Sequence, residues 1–137
     1  MMSKHLLSPA LAGVALAAVL AVLAAPAQAT KWDAVMMNDQ GLFYIDVQSI
    51  RQEGPHTLVW TLLDYKKPQT TADGKAFLST KSQIMFNCRM KMARIMHMTY
   101  FSGAMLDGKE VYKQGMLHDW LDIEPGTAVQ RIARRVC

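Results

Sequence analysis

The chain has 137 residues and carries 15 Lys and Arg against 11 Asp and Glu, a formal net charge of +4. Since domains typically contain about 100–200 residues, this length predicts a single folded domain. The basic excess is small and forms no block, which excludes a nucleic-acid-binding composition. With 51% hydrophobic and only 19% charged residues, the chain is expected to fold rather than remain disordered.

Residues 1–29 have the organisation of a secretory signal peptide. Lys4 gives a weak basic start, residues 11–25 form an apolar segment, and Ala27 and Ala29 supply the small residues of a cleavage site after Ala29. A retained membrane anchor is the alternative, but an apolar run of about 15 residues is shorter than the ~20 needed to cross a bilayer. We therefore expect the segment to be removed.

The remaining residues, 30–137, are expected to form the whole functional domain. They contain no further segment apolar enough to span a membrane, and no cysteine lies near the cleavage site to carry a lipid. The sequence thus predicts an exported protein, periplasmic or secreted, that is not lipid-anchored.

Hydrophobic patterns of period two predict that most of this domain is β-structure. The expected strands are Lys31–Met37, Leu42–Ile50, His56–Lys66, Phe77–Asn87, Met92–Phe101 and Glu110–Tyr112. Both faces of His56–Lys66 are apolar, so this strand is placed at the centre of the sheet. Lys67–Lys75 is predicted to be a polar loop because it contains Pro68 and Gly74. The order is typical of an antiparallel meander of about five or six strands.

The end of the chain changes to a helical period. Apolar residues recur at i, i+3, i+4 and i+7, namely Val129, Ile132, Ala133 and Val136. This spacing predicts an α-helix over Ala128–Val136, with Thr127 as its N-cap. The fold class is therefore α+β, an antiparallel sheet packed against a C-terminal α-helix.

The chain contains only two cysteines, Cys88 and Cys137. In an exported protein such a pair indicates one structural disulfide. A zinc or haem site and a reactive thiol are the alternatives, but neither CxxC nor CxxCH spacing is present to support a metal or haem site.

A series of short motifs runs in a fixed order through the domain. They are Trp32, Tyr44-Ile45-Asp46, Ser49-Ile50, Val59-Trp60, Asp64-Tyr65, Ser79, Lys81, Asn87-Cys88, Tyr100-Phe101-Ser102-Gly103, Trp120, Pro125-Gly126-Thr127 and Val136-Cys137. This series resembles the surface-adhesin protein E family of bacterial exported proteins. The resemblance covers essentially all of residues 31–137, and its most specific parts are the two cysteines and the Trp–Pro-Gly–Cys ending.

The resemblance implies an antiparallel sheet on a C-terminal helix, a disulfide that ties the helix end to a strand, and often a homodimer. It also implies a binding module for host or envelope macromolecules, since the best-known member of the family binds host matrix proteins, plasminogen and haem. This chain is expected to differ from the family's lipid-anchored surface adhesin, because it has no cysteine near the cleavage site to carry the lipid.

Five methionines surround His97, and they suggest an alternative function. These methionines are Met85, Met90, Met92, Met96 and Met98. Thioether and imidazole ligands suit copper, which would make the chain a periplasmic metal- or haem-binding protein. On a regular strand, however, Met92, Met96 and Met98 share one face while His97 points to the other. Because methionine also fills gaps in cores, we expect these residues to pack and to hold no metal or cofactor.

Catalytic residues are not expected. Asp119, Asp122 and Glu124 could form an acid–base or cation-binding cluster, but solvation of a loop and favourable charge before a helix explain them as well. No motif places a nucleophile beside a base, and the glycines lie singly at turns. The sequence predicts a binding protein and not an enzyme.

Arginines are the candidate ligand-binding residues. Arg131, Arg134 and Arg135 lie on the polar side of the predicted helix, and Arg89 follows Cys88 directly. A disulfide would bring the two groups together, because Cys137 ends the helix. Arginine holds carboxylates bidentately, so we predict an acidic partner here, with an ordinary solvated face as the alternative.

Two other basic residues, Lys91 and Arg94, would join this surface if the helix crosses their strand. The apolar edge near Trp60 or Trp120 is the next candidate for a binding surface.

Overall fold

The computed structural model describes residues 29–137 continuously, together with Met1, Met2, Gly13, Ala18 and Leu23. The predicted signal peptide thus lies almost wholly outside the described residues, and its cleavage stays a prediction. Within the described part of the chain, no helix combines the length and apolar character that a membrane crossing requires.

Eight strands and one helix make up the domain. They are β1 (Asp33–Met37), β2 (Gly41–Ile45), β3 (Arg51–Glu53), β4 (His56–Thr70), β5 (Ala76–Asn87), β6 (Met92–Phe101), β7 (Glu110–Gln114), β8 (Leu121–Asp122) and α1 (Ala128–Val136). The strands form one antiparallel sheet in the order β1-β2-β4-β5-β6-β7, to which β3 adds beside β4 and β8 beside β6. The predicted α+β class is confirmed, and the two strands beyond the expected six are the shortest ones.

Strand β4 is central, as its two apolar faces predict. It pairs with β2 and β3 along one edge and with β5 along the other. Since side chains alternate along a strand, this arrangement gives the sheet two distinct faces. The helix α1 packs on one of them, called here the helix face, and the opposite side is called the second face.

The hydrophobic core lies between α1 and the helix face. From the sheet it contains Ile45, Val59, Ile84, Phe86 and Ala93, and from the helix Ile132 and Ala133. Phe86 is fully buried and Ile132 is 1% exposed. Ile132 and Ala133 belong to the apolar stripe predicted for the helix, so the prediction that this stripe packs on the sheet is confirmed.

The bounds of α1 agree with the sequence because both of its ends carry local signals. The Thr127 hydroxyl accepts a hydrogen bond from the Gln130 backbone N–H at 3.2 Å, which satisfies one of the unpaired donors of the first turn. Arg134 and Arg135 lie in the last turn, where positive charge is favourable beside the helix carbonyl groups.

The predicted strand Leu42–Ile50 is too long. Strand β2 ends at Ile45, and the Asp46 carboxylate accepts from the Gln48 backbone N–H at 3.0 Å and starts a short 3₁₀ turn, Val47–Ser49. Side chains of this kind compete with sheet pairing for backbone groups. The Ser49 hydroxyl then accepts from the Trp60 backbone N–H at 2.8 Å, which satisfies a donor of the central strand.

The predicted loop Lys67–Lys75 is also too long, because β4 continues to Thr70 and β5 begins at Ala76. The extra residues are absorbed by a shift in register between Asp64 and Gln69. The hairpin closes around Thr71, whose N–H donates to the Lys75 carbonyl at 2.8 Å and whose carbonyl accepts from Gly74 at 3.0 Å. Gly74 has a φ of +84°, the left-handed conformation that glycine tolerates best.

The predicted disulfide is present between Cys88 and Cys137, with 5.7 Å between the two Cα atoms. Cys88 opens the turn between β5 and β6, and Cys137 follows the last residue of α1. The bond therefore ties the end of the helix to the sheet. This finding removes the zinc, haem and free-thiol alternatives for the two cysteines.

Removal of the crosslink by Cys88→Ser with Cys137→Ser should destabilise the domain by about 4 kcal/mol, because 49 residues separate the two cysteines and the unfolded chain regains the entropy of an open loop. Urea denaturation of the wild-type and double-variant proteins measures this change. A loss below about 1 kcal/mol would show that α1 docks without help from the bond.

The end of the sheet farthest from the disulfide is closed by aromatic rings. Tyr65, Phe77, Tyr100 and Tyr112 contact in series, with ring centroids 4.8–5.5 Å apart. Burial raises the pKa of Tyr65; the nearby Tyr100 charge adds to this rise, while a hydrogen bond with Thr80 opposes it. Burial also raises the pKa of Tyr100, and the Tyr112 charge adds to it.

These shifts predict a loss of stability in alkali. Because the unfolded tyrosines ionise near pH ~10 and the folded ones only above it, the free energy of unfolding should hold below pH ~10 and fall as pH rises through the folded pKa values. Urea denaturation between pH 8 and 12 should show this fall, and Tyr65→Phe with Tyr100→Phe should flatten it. Tyr44→Phe, outside the aromatic series, is the control; equal slopes in all three proteins would contradict the assignment.

Candidate binding surfaces

The disulfide brings two groups of basic residues together, as the sequence predicts. Lys91 and Arg134 line one cleft of about 290 Å³ beside Cys88 and Cys137. Arg131 lies one helical turn before Arg134, and Arg89 follows Cys88; both side chains are exposed. These four residues, Arg89, Lys91, Arg131 and Arg134, are called the arginine surface below.

The charges of the arginine surface are not neutralised within the domain. In residues 29–137, no Asp or Glu carboxylate lies within ion-pair distance of any of the four side chains. Lys91 adopts a φ of +54° in the turn after Cys88, and the disulfide holds the backbone of this turn beside the end of α1. The surface can therefore attract a negatively charged group from outside.

Arg135 differs from its two neighbours on the helix. Its guanidinium lies 3.8 Å from the Asp33 carboxylate of β1, and both side chains are partly exposed. A pair of this kind contributes at most about 1 kcal/mol, yet it directs the Arg135 charge back toward the sheet. Arg135 remains a predicted ligand residue at the rim of the arginine surface.

Arg94 does not join this surface. It pairs in register with Met85, whereas its neighbour Ala93 pairs with Phe86 of the core, so Arg94 points to the second face. There its guanidinium lies 4.8 Å from the centre of the Trp120 ring and 3.9 Å from the Asp119 carboxylate. Cation–π contact of this kind stabilises the packing of Trp120, whose other neighbour is His56 at 4.8 Å between centroids.

The three acidic residues before the helix also separate. Asp119 pairs with Arg94, while Asp122 and Glu124 lie at the rim of an apolar pocket of about 160 Å³ near the start of α1. Among the described residues, no group of three or more His, Cys, Asp or Glu side chains is placed to hold a metal ion. The separation of Asp119 from the other two carboxylates agrees with solvated loop charges.

The methionine pattern changes because β6 is irregular. Ile95 pairs with Ile84 and His97 with Gln83, so Met96 is an extra residue between two adjacent rungs of the sheet. An extra residue of this kind reverses the alternation of faces. The expectation that Met92 and Met98 share a face is therefore wrong: Met92 pairs with Asn87 on the second face and Met98 with Ser82 on the helix face. Met98 therefore lies on the opposite face from Met92 and His97.

The same irregularity creates a groove that the sequence did not indicate. His97 now lies on the second face, beside Trp60 and Lys81, in a groove of about 530 Å³ that Thr99, Glu110 and Lys113 also line. The sequence patterns mark Trp60 only as part of an apolar edge, and they do not mark Lys81 or Lys113 as site residues. The alternation of single strands could not find this groove, since it depends on how four strands align.

The architecture and these surfaces are those of a small, single-disulfide β-sheet domain with a C-terminal helix. The chain belongs to the surface-adhesin protein E family, whose sequence model matches residues 32–137. No curated protein sequence matches the chain significantly.

Solved structures of protein E from Haemophilus influenzae share the fold. One crystal form is 15% identical, with a TM-score of 0.59 over 69% of this chain and 79% of that chain. A second structure is 15% identical, with a TM-score of 0.56 over 81% and 89% of the two chains. Protein E from non-typeable Haemophilus influenzae is 16% identical, with a TM-score of 0.54 over 80% and 78%. At this identity the likeness extends to the fold and not to individual contact residues.

Proposed function

We propose that this chain is an exported binding module of the adhesin type that holds an acidic partner on its arginine surface. The observation that carries the proposal is the cleft beside the disulfide, where Lys91 and Arg134 lie together with no Asp or Glu partner in the described part of the chain. Membership of a surface-adhesin family supports a binding role rather than catalysis.

The chemistry of the arginine surface favours carboxylate-rich protein partners. Planar guanidinium groups bind carboxylates through two parallel hydrogen bonds, and Arg131 and Arg134 project from adjacent turns of one helix. A host matrix protein with an exposed acidic segment fits this requirement, and so does an acidic segment of plasminogen. Haem is disfavoured as the ligand, since Met98 lies on the opposite face of the sheet from Met92 and His97.

Charge reversal tests this surface directly. Arg131→Glu with Arg134→Glu should weaken binding to immobilised matrix proteins or plasminogen by roughly five- to thirtyfold, about 1–2 kcal/mol, because two attractive contacts become repulsive. Surface plasmon resonance measures the affinity, and the wild-type affinity should also fall as salt rises, since ions screen exposed charges. Arg135 is left unchanged because it pairs with Asp33.

The control variant carries the same charge change elsewhere. Lys66→Glu with Lys67→Glu alters two exposed lysines of β4, away from the helix, and should keep wild-type affinity. The lysine variant should unfold within about 0.5 kcal/mol of the wild-type protein, since it changes only solvated side chains. The arginine variant should lose roughly 1 kcal/mol of stability, because it places a carboxylate in the last turn of α1, where negative charge is unfavourable. Equal losses in the two double variants would indicate attraction by net charge alone, and unchanged affinity in both would place the binding site elsewhere.

A further inference from the structure

A groove lies on the second face of the sheet, opposite the helix. Two adjacent rungs of side chains cross it. Trp60, Gln83 and His97 are aligned across β4, β5 and β6, and Lys81, Thr99 and Lys113 are aligned across β5, β6 and β7. Neighbouring strands are about 4.8 Å apart, so the four strands give this groove a width of roughly 14 Å.

The first rung is aromatic. The Trp60 and His97 rings lie within 24° of parallel, with centroids 6.5 Å apart. Gln83 lies between them in the register and is only 8% exposed. Trp60 itself is half-buried and His97 is exposed. The two rings of this rung are called the aromatic floor below.

The second rung is cationic. The Lys81 ammonium lies 4.7 Å from the centre of the Trp60 ring, and in the described part of the chain no carboxylate lies within ion-pair distance of it. Lys113 pairs with Glu110 at 3.1 Å. The groove thus contains one cation without an acidic partner, held against an aromatic ring, and one carboxylate that can accept hydrogen bonds.

We propose that this groove binds an acidic saccharide of a glycan chain. Aromatic ring faces carry negative charge density and pack against the C–H groups of a sugar ring. Lys81 supplies a countercharge for a sugar carboxylate, while the Thr99 hydroxyl and the Glu110 carboxylate supply polar contacts for sugar hydroxyls. A site with an aromatic floor and a few directed polar groups is typical of small-ligand recognition.

This saccharide site is independent of the arginine surface. The groove is built from β4 to β7 on the second face, whereas the arginine surface depends on α1 and the turn after Cys88. An acidic peptide would need the countercharge but not the aromatic floor, and a neutral sugar would need the floor but not Lys81. The pairing of the two rungs therefore favours a ligand that has both a ring face and a negative charge.

The test compares two tetrasaccharides of equal length. Hyaluronan tetrasaccharide alternates glucuronate with N-acetylglucosamine, and chitotetraose contains only N-acetylglucosamine. The full chain, purified in its disulfide-bonded form, should bind the hyaluronan probe with quenching of tryptophan fluorescence, and at least roughly tenfold more tightly than chitotetraose, a gap that one ion pair held against an aromatic ring accounts for. Isothermal titration calorimetry gives both affinities.

Three variants assign the contacts. Lys81→Met should reduce hyaluronan binding toward the chitotetraose level and leave chitotetraose binding unchanged. His97→Ala, at an exposed side chain, should weaken both probes. Trp60→Leu should abolish both, and its folding is checked by urea denaturation because Trp60 is half-buried.

Lys66→Glu with Lys67→Glu alters two exposed lysines outside both surfaces; it is the control for net charge and should bind both sugars as the wild-type chain does. Loss of hyaluronan binding in this control, or full binding in Lys81→Met and His97→Ala, would overturn the proposal. Binding of a glutamate tetrapeptide that is lost in Lys81→Met would also overturn it, since the groove itself would then recognise charge without a sugar ring.

Discussion

One short helix has to cover a much wider sheet, and the rest of the structure follows from this mismatch. Nine helical residues extend about 14 Å, while the six-strand path spans roughly 24 Å. The helix buries Ile84, Phe86 and Ala93 on one face and leaves the other parts of the sheet without a covering element. Side chains and loops pack on those parts instead. The residues that do so are aromatic in one place and polar in another.

Each uncovered part is closed in its own way. Away from the helix, the rings of Tyr65, Phe77 and Tyr100 pack edge to face. On the second face, the loop after β6 folds back: the Ser79 hydroxyl donates to the Gly103 carbonyl at 2.6 Å and accepts from Leu106 at 2.8 Å. Because Ser79 is fully buried, these bonds satisfy a polar group that would otherwise be costly. The stretch around Trp60 and Lys81 forms the groove on the second face.

Local patterns in the sequence predicted what local physics controls. The apolar stripe and the Thr127 cap set the bounds of α1, and two apolar faces placed β4 at the centre, because burial and capping act over a few residues. Asp46 interrupted a predicted strand through its own side chain, an effect that is visible in the sequence but that competes with a strong period-two pattern.

The candidate sites were harder to predict because they depend on register between distant strands. Lys81 and Thr99 face each other across a hairpin, and no pattern within β5 or β6 alone reveals it. The extra residue Met96 then moved His97 to the face that carries Trp60, which inverted the predicted arrangement of methionines. One irregular residue therefore places Met92 and Met98 on opposite faces, and it also places His97 in the groove beside Trp60. The proximity of the basic residues can be predicted from the sequence, because it needs only the disulfide that the two cysteines indicate.

The two proposed surfaces depend on different kinds of stabilisation, and this difference bears on how each would respond to stress. The arginine surface exists because one covalent bond holds the end of α1 against the turn after Cys88. The saccharide groove is held by backbone pairing of β4, β5 and β6, which gives the domain its most extensive strand contacts. Free energies of local opening are lowest where few contacts act and highest in the central strands. Reduction of the disulfide would therefore separate the basic residues first, while Trp60 and Lys81 would stay aligned until the sheet itself unfolds.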